Sequence, residues 1–241
     1  MIKLEISIDN YQSILNAQKA GADRLELCSA LGVEGLTPSP SLVKFAKANF
    51  KGSLQPIIRH RAGDFYYDSI DQQIMLDDLK TMLDLDVDGI VIGALTKQNE
   101  VDKDFLEPFI KLTKQAKKEL TFHRAIDIAN DIHASTQEVI ELGFDRILTS
   151  GAGLNVIEGL ETVKSLQQNF GSQIQIMPGG GINSQNVREI LEVTKVTNIH
   201  GSASKKILRD TRTTAFPSSA LEIKTSQVDE ISAIKAKLHY S

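Results

Sequence analysis

Short apolar runs alternate with longer amphipathic stretches along most of the chain. Strand-like runs fall at Lys3 to Ile8, Arg24 to Cys28, Leu54 to Arg59, Gly89 to Gly93, Leu120 to His123, Arg146 to Thr149, Gln173 to Met177 and Val196 to His200, each of strand length and bounded by turn residues. Helix starts are expected at Asp9 with Gln12 three residues on, at Ser39 followed by Pro40, and at Asn183 or Ser184 after a glycine run. Three of the runs repeat one another about sixty residues apart: Asp23-Arg24-Leu25-Glu26-Leu27, Asp88-Gly89-Ile90-Val91-Ile92 and Asp145-Arg146-Ile147-Leu148-Thr149. The first and third follow Ala20-Gly21-Ala22 and Leu142-Gly143-Phe144, where glycine suits the left-handed residue that closes a helix. Two βα units per period make eight in all, which predicts a single-domain α/β fold, an eight-stranded parallel (β/α)8 barrel over residues 1–206. An open doubly wound sheet is the competing arrangement. Residues 207–241 form a C-terminal extension, part of the same domain or an oligomer contact. Within it Arg209 to Gln227 is rich in Thr and Ser and reads as irregular, whereas Val228 to Leu238 has apolar residues at helical spacing.

Composition narrows the class of partner. With 241 residues, 41% of them hydrophobic, the chain can bury one large core, and such barrels need about 250 residues. A net charge of -4 leaves no broad basic field, which argues against nucleic acid or an anionic membrane and for a small anionic ligand or a metal ion. Met1 to Asp9 lacks the basic stretch and long apolar core of a signal peptide, and no apolar run is long enough to span a bilayer. A cytoplasmic protein is expected. The single cysteine, Cys28, excludes an internal disulfide and fits a reducing compartment.

Barrel sites lie at the carboxyl ends of the strands, and several polar residues stand there. Period-two alternation puts Glu5 with Ser7, and Glu26 with Cys28, on one face of their strands. The two carboxylates either meet in the barrel mouth as chemistry or neutralise arginines in a buried network. Strand three ends in Arg59-His60-Arg61 with Asp64 beyond, and strand five in Phe122-His123-Arg124-Ala125 with Asp127 following. Two guanidinium groups suit a carboxylate or phosphate, and a histidine suits proton transfer or metal ligation. Glu26, His123 and Arg59 are therefore the catalytic candidates. Met177-Pro178-Gly179-Gly180-Gly181-Ile182-Asn183 follows strand seven, His200-Gly201-Ser202-Ala203 ends strand eight, and Thr149-Ser150-Gly151-Ala152-Gly153 follows strand six. Glycine backbone approaching an anion near a helix start is the usual phosphate site of this architecture. The anion-binding candidates are Arg61, Arg124, Ser150, Gly179, Gly180, Gly181 and Ser202. Asp23, Asp88 and Asp145 precede strands and are expected to cap loops. No strand-end lysine suggests an imine, and no P-loop, GxGxxG, CxxC or HExxH occurs.

Taken together, Glu26-Leu27-Cys28-Ser29, Gly35-Leu36-Thr37-Pro38-Ser39, Arg59 with Arg61-Ala62-Gly63-Asp64-Phe65, Gly93-Ala94-Leu95-Thr96, Thr121-Phe122-His123-Arg124-Ala125, Leu148-Thr149-Ser150-Gly151, Glu158-Gly159-Leu160 and Met177-Pro178-Gly179-Gly180-Gly181 resemble the copper homeostasis protein family CutC. The match runs in order from Met1 to Ala203. It implies a TIM barrel, a cytoplasmic location, a role in copper homeostasis or copper binding, and self-association as a homo-oligomer. Ser7 departs from the cysteine that many relatives carry near the end of strand one, so the paired thiols of a Cu(I) site shrink to Cys28, with a second thiolate to come from another subunit or Met177 or His123 as weaker partners. His60 and Ala62 replace a common proline and glycine.

Three functional readings follow. One is copper binding through Cys28. Another is a barrel enzyme for a small anionic or phosphorylated molecule, held by Arg59, Arg61 and the glycine loop while Glu26 and His123 exchange protons. The last is an interaction scaffold whose mouth residues only stabilise the barrel.

Overall fold

A computed structural model describes residues 2–208 and 222–238. Alternation along each strand decides what faces where. Leu4, Ile6, Ile8, Leu25, Leu27, Ile90, Ile92, Leu120 and Phe122 point outward and are fully buried against the inner faces of helices that contribute Ile14, Val43, Leu79, Phe109, Val163 and Ile190. Each such side chain stabilises the fold by about 1.5–3 kcal/mol. The strands are β1 (Lys3–Ile8), β2 (Arg24–Leu27), β3 (Ser53–Pro56), β4 (Gly89–Ile92), β5 (Glu119–Phe122), β6 (Arg146–Thr149), β7 (Gln175–Pro178) and β8 (Asn198–Gly201). Between them run α1 (Tyr11–Ala20), α2 (Pro40–Asn49), α3 (Ser69–Asp84), α4 (Lys103–Gln115), α5 (Ile132–Glu141), α6 (Leu160–Phe170) and α7 (Val187–Thr194).

The hydrogen-bonded strand orders are β3-β2-β1-β8 and β4-β5-β6-β7, with every pairing parallel. A parallel bridge between Ile57 and Val91 joins the two arcs on one side, and β7 lies beside β8 on the other. Because β1 pairs with both β2 and β8, the sheet closes on itself, and the open doubly wound alternative is ruled out.

The repeated aspartates lock successive strands together. Carboxylates of Asp23, Asp88 and Asp145 accept from the N–H groups of Leu4, Leu54 and Leu120 at 2.9, 2.8 and 2.8 Å. The aspartate N–H groups donate back to the carbonyls of those same residues. Each odd strand is thus fastened to the turn that opens the next even one, which is why the motif recurs every two units. Gly21 and Gly143 take the left-handed conformation expected of them, with φ of 73° and 82°.

Helix starts differ in detail from the sequence reading. Ser39 caps α2 as expected, accepting from Leu42 N–H at 3.2 Å with Pro40 in the first turn. In α1 the cap is Asn10, one residue after Asp9, accepting from Ser13 N–H at 3.0 Å. Asp9 instead reaches the N–H of Leu31. Asn183 shapes the turn before α7 by accepting from Gln185 and Asn186.

The tail is more ordered than its composition suggests. β9 (Ser204–Leu208) pairs antiparallel with β10 (Glu222–Ser226), so part of the stretch expected to be irregular is a strand, formed by pairing with distant residues rather than by its own pattern. Residues 209–221 lie outside the described residues. α8 (Val228–Leu238) forms as expected, burying Ile231, Ile234 and Leu238 against α1 and α7. Lys235 meets Asp23 at 3.2 Å, and Ser226 N–H donates to Ser13. Among the described residues no helix is long and apolar enough to cross a membrane.

Candidate functional site

The inside of the barrel is polar, in contrast to its outside. Strand register brings Glu5 beside Arg24 and His200, Ser7 beside Glu26, and Glu26 beside Gln55. Deep in the cylinder Arg24 pairs with Glu5 and reaches Met177 Sδ and Asn198 Oδ1, each at 3.2 Å. Arg146 donates to Thr121, Glu119 and Gln175 at 2.8, 3.1 and 3.1 Å. This lower layer satisfies charges that would otherwise destabilise the core.

Above it stands a chain of titratable groups. His200 Nδ1 lies 2.7 Å from Glu5 Oε1, and its Nε2 lies 3.8 Å from Glu26 Oε2. Burial opposes ionisation of Glu5, but the charge of Arg24 and the His200 contact outweigh it and hold Glu5 well below the usual carboxylate range. For Glu26 burial wins and raises its pKa to about 7, helped by the charge of Glu5 and opposed by His200. Burial works against a charged His200, yet the hydrogen bond to Glu5 and the charges of Glu26 and Glu5 raise its pKa above the ordinary value. Near neutral pH the arrangement is an ionised Glu5, a His200 ring biased toward its protonated form and a Glu26 carboxyl poised to gain or lose a proton.

Cys28 adjoins this chain but sits in apolar surroundings with Ile57, Val91 and Leu31. Burial, then the charge and hydrogen bond of Glu26, push its thiol far above the ordinary value. The donor set does not fit copper. Cu(I) wants thiolate or thioether ligands, whereas the thiol is held protonated, Met177 sulfur accepts from Arg24, and Ser7 supplies only a hydroxyl. Among the described residues no three His, Cys, Asp or Glu side chains are grouped to hold a metal ion.

On the β5–β7 side the loops form a cup. Asp127 accepts from Thr149 Oγ1 at 2.5 Å, Ser150 N–H at 3.0 Å, Ala152 N–H at 3.2 Å and Arg124 Nε at 2.9 Å. Arg124 is thereby aimed so that Nη2 donates to Ser150 Oγ at 3.0 Å and Nη1 meets Glu34 Oε2 at 3.3 Å. Glu34 is largely exposed, with 70% of its side-chain surface accessible. Gly180 and Gly181 have φ of 95° and 85°, and a Cβ at Gly180 would touch Ser150 and Arg124. Among the described residues no protein acceptor takes the N–H of Gly180, Gly181 or Ile182. A Cβ at Gly179 would lie 2.6 Å from Leu148 and 3.1 Å from His200, so this loop packs directly against the imidazole. Ser202 lies past β8, its Oγ 3.0 Å from that of Ser204.

The remaining candidates face the β3–β5 side. Arg59, 3% exposed, donates from Nη1 to the carbonyls of Val33 and Gly35 at 2.7 and 3.0 Å and from Nη2 to that of Gly63 at 2.8 Å. Arg61 is turned to Asp64, Asp71 and the Tyr66 carbonyl, away from the glycine cup. His123 caps the 3-10 turn Arg124–Ile128 by accepting from Ala125 N–H at 3.2 Å. Burial and the charge of Arg59 lower its pKa to about 3, so at neutral pH it is a neutral imidazole with its proton on Nε2. His123 follows β5 and Glu26 stands on β2, three strands away around the barrel. The structure thus brings Arg124, Ser150, Gly179, Gly180 and Gly181 together, with His200 and Glu26 alongside. His200 and Asp127 are the residues sequence reasoning underrated. Alternation along Asn198, His200 and Ser202 was the available signal for His200.

Comparison with known proteins places the chain. The CutC family model matches residues 2–205. A CutC protein of Glaesserella parasuis is 36% identical over 99% of this chain and 98% of its own length. The human copper homeostasis protein cutC homolog is 36% identical over 83% of this chain and 72% of its own. The crystal structure of a copper homeostasis protein CutC from Streptococcus agalactiae superposes with a TM-score of 0.79 at 32% identity, covering 84% of this chain and 99% of that one. The chain, a closed barrel with this arrangement at its mouth, belongs to the CutC family.

Proposed function

We propose that the mouth is the site of an enzyme acting on a small anionic, phosphorylated substrate by proton transfer. The observation that carries this reading is the juxtaposition of a cup of unclaimed N–H groups at Gly180, Gly181 and Ile182 with the Glu26–His200 pair, in contact through Gly179. The phosphate would take those N–H groups and Arg124, displacing the exposed Glu34 carboxylate. Backbone donors and a guanidinium suit its charge and geometry. Glu26, with a pKa of about 7, is matched to accept or return a proton at neutral pH, and His200, biased toward its protonated form, supports it. Such general acid–base help contributes about 10²–10⁴ in rate.

The copper-homeostasis role that the human relative's name carries is the second reading. It rests on family membership, and the mouth offers it one buried, protonated thiol. The two are separated by a thermal-shift panel of phosphorylated metabolites and metals on the native protein and Arg124→Gln. A ligand at a hundred times its Kd adds about 2.7 kcal/mol of stability. The proposal expects a phosphorylated hit that Arg124→Gln abolishes. A panel in which only Cu(I) stabilises, or in which the hit ignores Arg124→Gln, refutes it.

A further inference from the structure

The β3–β5 side of the mouth holds two donors that meet no acceptor at hydrogen-bond geometry among the described residues, although the buried Tyr67 hydroxyl, itself unpaired, interacts with Arg59. Arg59 Nε and His123 Nε2 are buried without a hydrogen-bond partner, in side chains only 3% and 4% exposed. Neither is free to turn elsewhere. The Arg59 guanidinium is pinned by three carbonyls, and the His123 ring is fixed by its Nδ1 cap to Ala125 and by Gly93, where a Cβ would come within 2.7 Å of it. Both residues lie against one side chain: the Arg59 guanidinium is 5.0 Å from the centre of the Phe65 ring, and the His123 ring is 4.8 Å from it. Phe65 is only half-buried. It also lines a cleft of about 190 Å³ that holds both Asp64 and Lys97 and that neither Arg59 nor His123 lines.

We infer that Arg59 Nε and His123 Nε2 form a second subsite that takes a ligand carboxylate, with the half-buried Phe65 as its cover. Both groups are donors, which excludes a cation, and His123 has no free lone pair for a metal because Nδ1 is already used. One fixed positive charge beside a neutral N–H matches the single charge of a carboxylate, and burial strengthens such charge-assisted bonds. Arg124, the next residue after His123, belongs to the glycine cup, so the two subsites flank the end of β5. This deepens the proposed function and rests on it for the cup: the substrate class becomes a phosphorylated hydroxy or keto acid, with phosphate at β6–β7 and carboxylate beneath Phe65.

The test compares 3-phosphoglycerate with glycerol 3-phosphate, which carries the phosphate but lacks the carboxylate, by calorimetric titration. The native protein is expected to prefer the acid about tenfold, equivalent to about 1.4 kcal/mol. His123→Asn keeps an acceptor for Ala125 N–H and deletes the distal donor. It should erase the preference while leaving glycerol 3-phosphate binding within about twofold. If that variant does not fold, Arg59→Lys, which keeps the charge and removes Nε, must give the same result. Equal binding of the two esters by the native protein, or a preference surviving in the variant, overturns the subsite and leaves the cup standing. If neither ester nor inorganic phosphate binds, the cup reading fails, and the subsite is judged with glycerate alone. A shift of the His123 Nε2 nitrogen resonance on adding glycerate supports it, and an unmoved resonance overturns it.

Discussion

Replacing Glu26 by glutamine tests whether burial really tunes the carboxyl at the mouth. In the folded protein its pKa is raised from 4.5 to about 7, first by burial. Over the interval between those values the unfolded chain has lost the proton that the native state keeps. Stability must then fall as pH rises, because the native state binds more protons. At 1.36 kcal/mol per pH unit the interval corresponds to about 3 kcal/mol. A glutamine side chain has no proton to lose, so the Glu26→Gln variant should gain up to that amount relative to the native protein between pH 4.5 and 8. His200 keeps its hydrogen bond to Glu5 in both proteins. Its raised pKa removes stability at higher pH in each, but part of that rise comes from the Glu26 charge and is lost in the variant, so the gap reports the Glu26–His200 pair together. The assay is urea unfolding at a series of pH values, read as midpoints with an unchanged slope. Parallel profiles, or a gap that widens toward acid, would refute the assignment of Glu26 as a buried neutral-pH group. Substrate turnover by the native protein should show a limb near pH 7, and the same variant should lose turnover.

Three further outcomes follow from named contacts. Cys28, buried with a raised pKa, should react with a disulfide reagent at pH 8 about a hundredfold more slowly than a free thiol until the chain is unfolded, and anaerobic Cu(I) titration should show no stoichiometric binding that Cys28→Ser removes. Asp127→Asn leaves the N–H groups of Ser150 and Ala152 and the Arg124 guanidinium without their carboxylate; a loss of about 3 kcal/mol is expected in denaturation, together with weaker phosphate binding. Asp23→Ala, Asp88→Ala and Asp145→Ala each remove one strand lock and should cost about 1 kcal/mol in denaturant midpoints, adding when combined because the three sites share no partner.

What was legible in the sequence was whatever depends on neighbours in sequence. Alternation in Leu4, Ile6 and Ile8 and its seven counterparts gives the strands, and the left-handed turns at Gly21 and Gly143 mark helix ends. Together with the Asp23, Asp88 and Asp145 repeat they specify eight βα units in order. The helix of the tail was visible in Ile231 and Ile234. β10 was not, because Glu222–Ser226 becomes a strand only by pairing with β9. The site was legible as a set of polar strand ends but not as a set of partnerships. Nothing local says that Arg59 spends its Nη donors on three carbonyls, that Arg61 turns to Asp64 and Asp71, or that His200 stands between Glu5 and Glu26. Those assignments come from register and loop closure across residues far apart in the chain, such as the 195 positions separating Glu5 from His200.

That register also places two demands in opposition at the mouth. A copper thiolate at Cys28 requires loss of its proton, whereas its surroundings of Ile57, Val91 and Leu31 and the adjacent Glu26 carboxylate both penalise the anion. The same absence of water is what lifts Glu26 to about 7 and makes it useful for proton transfer. Drier surroundings improve the carboxyl as an acid–base group and worsen the thiol as a ligand. The two roles therefore respond in opposite directions to one substitution. Removing the charge of Glu26 relieves the thiol, so Glu26→Gln would strengthen any Cu(I) binding through Cys28 while abolishing proton transfer. Weaker copper binding in that variant would instead make Glu26 a ligand and overturn the division of roles drawn from the geometry.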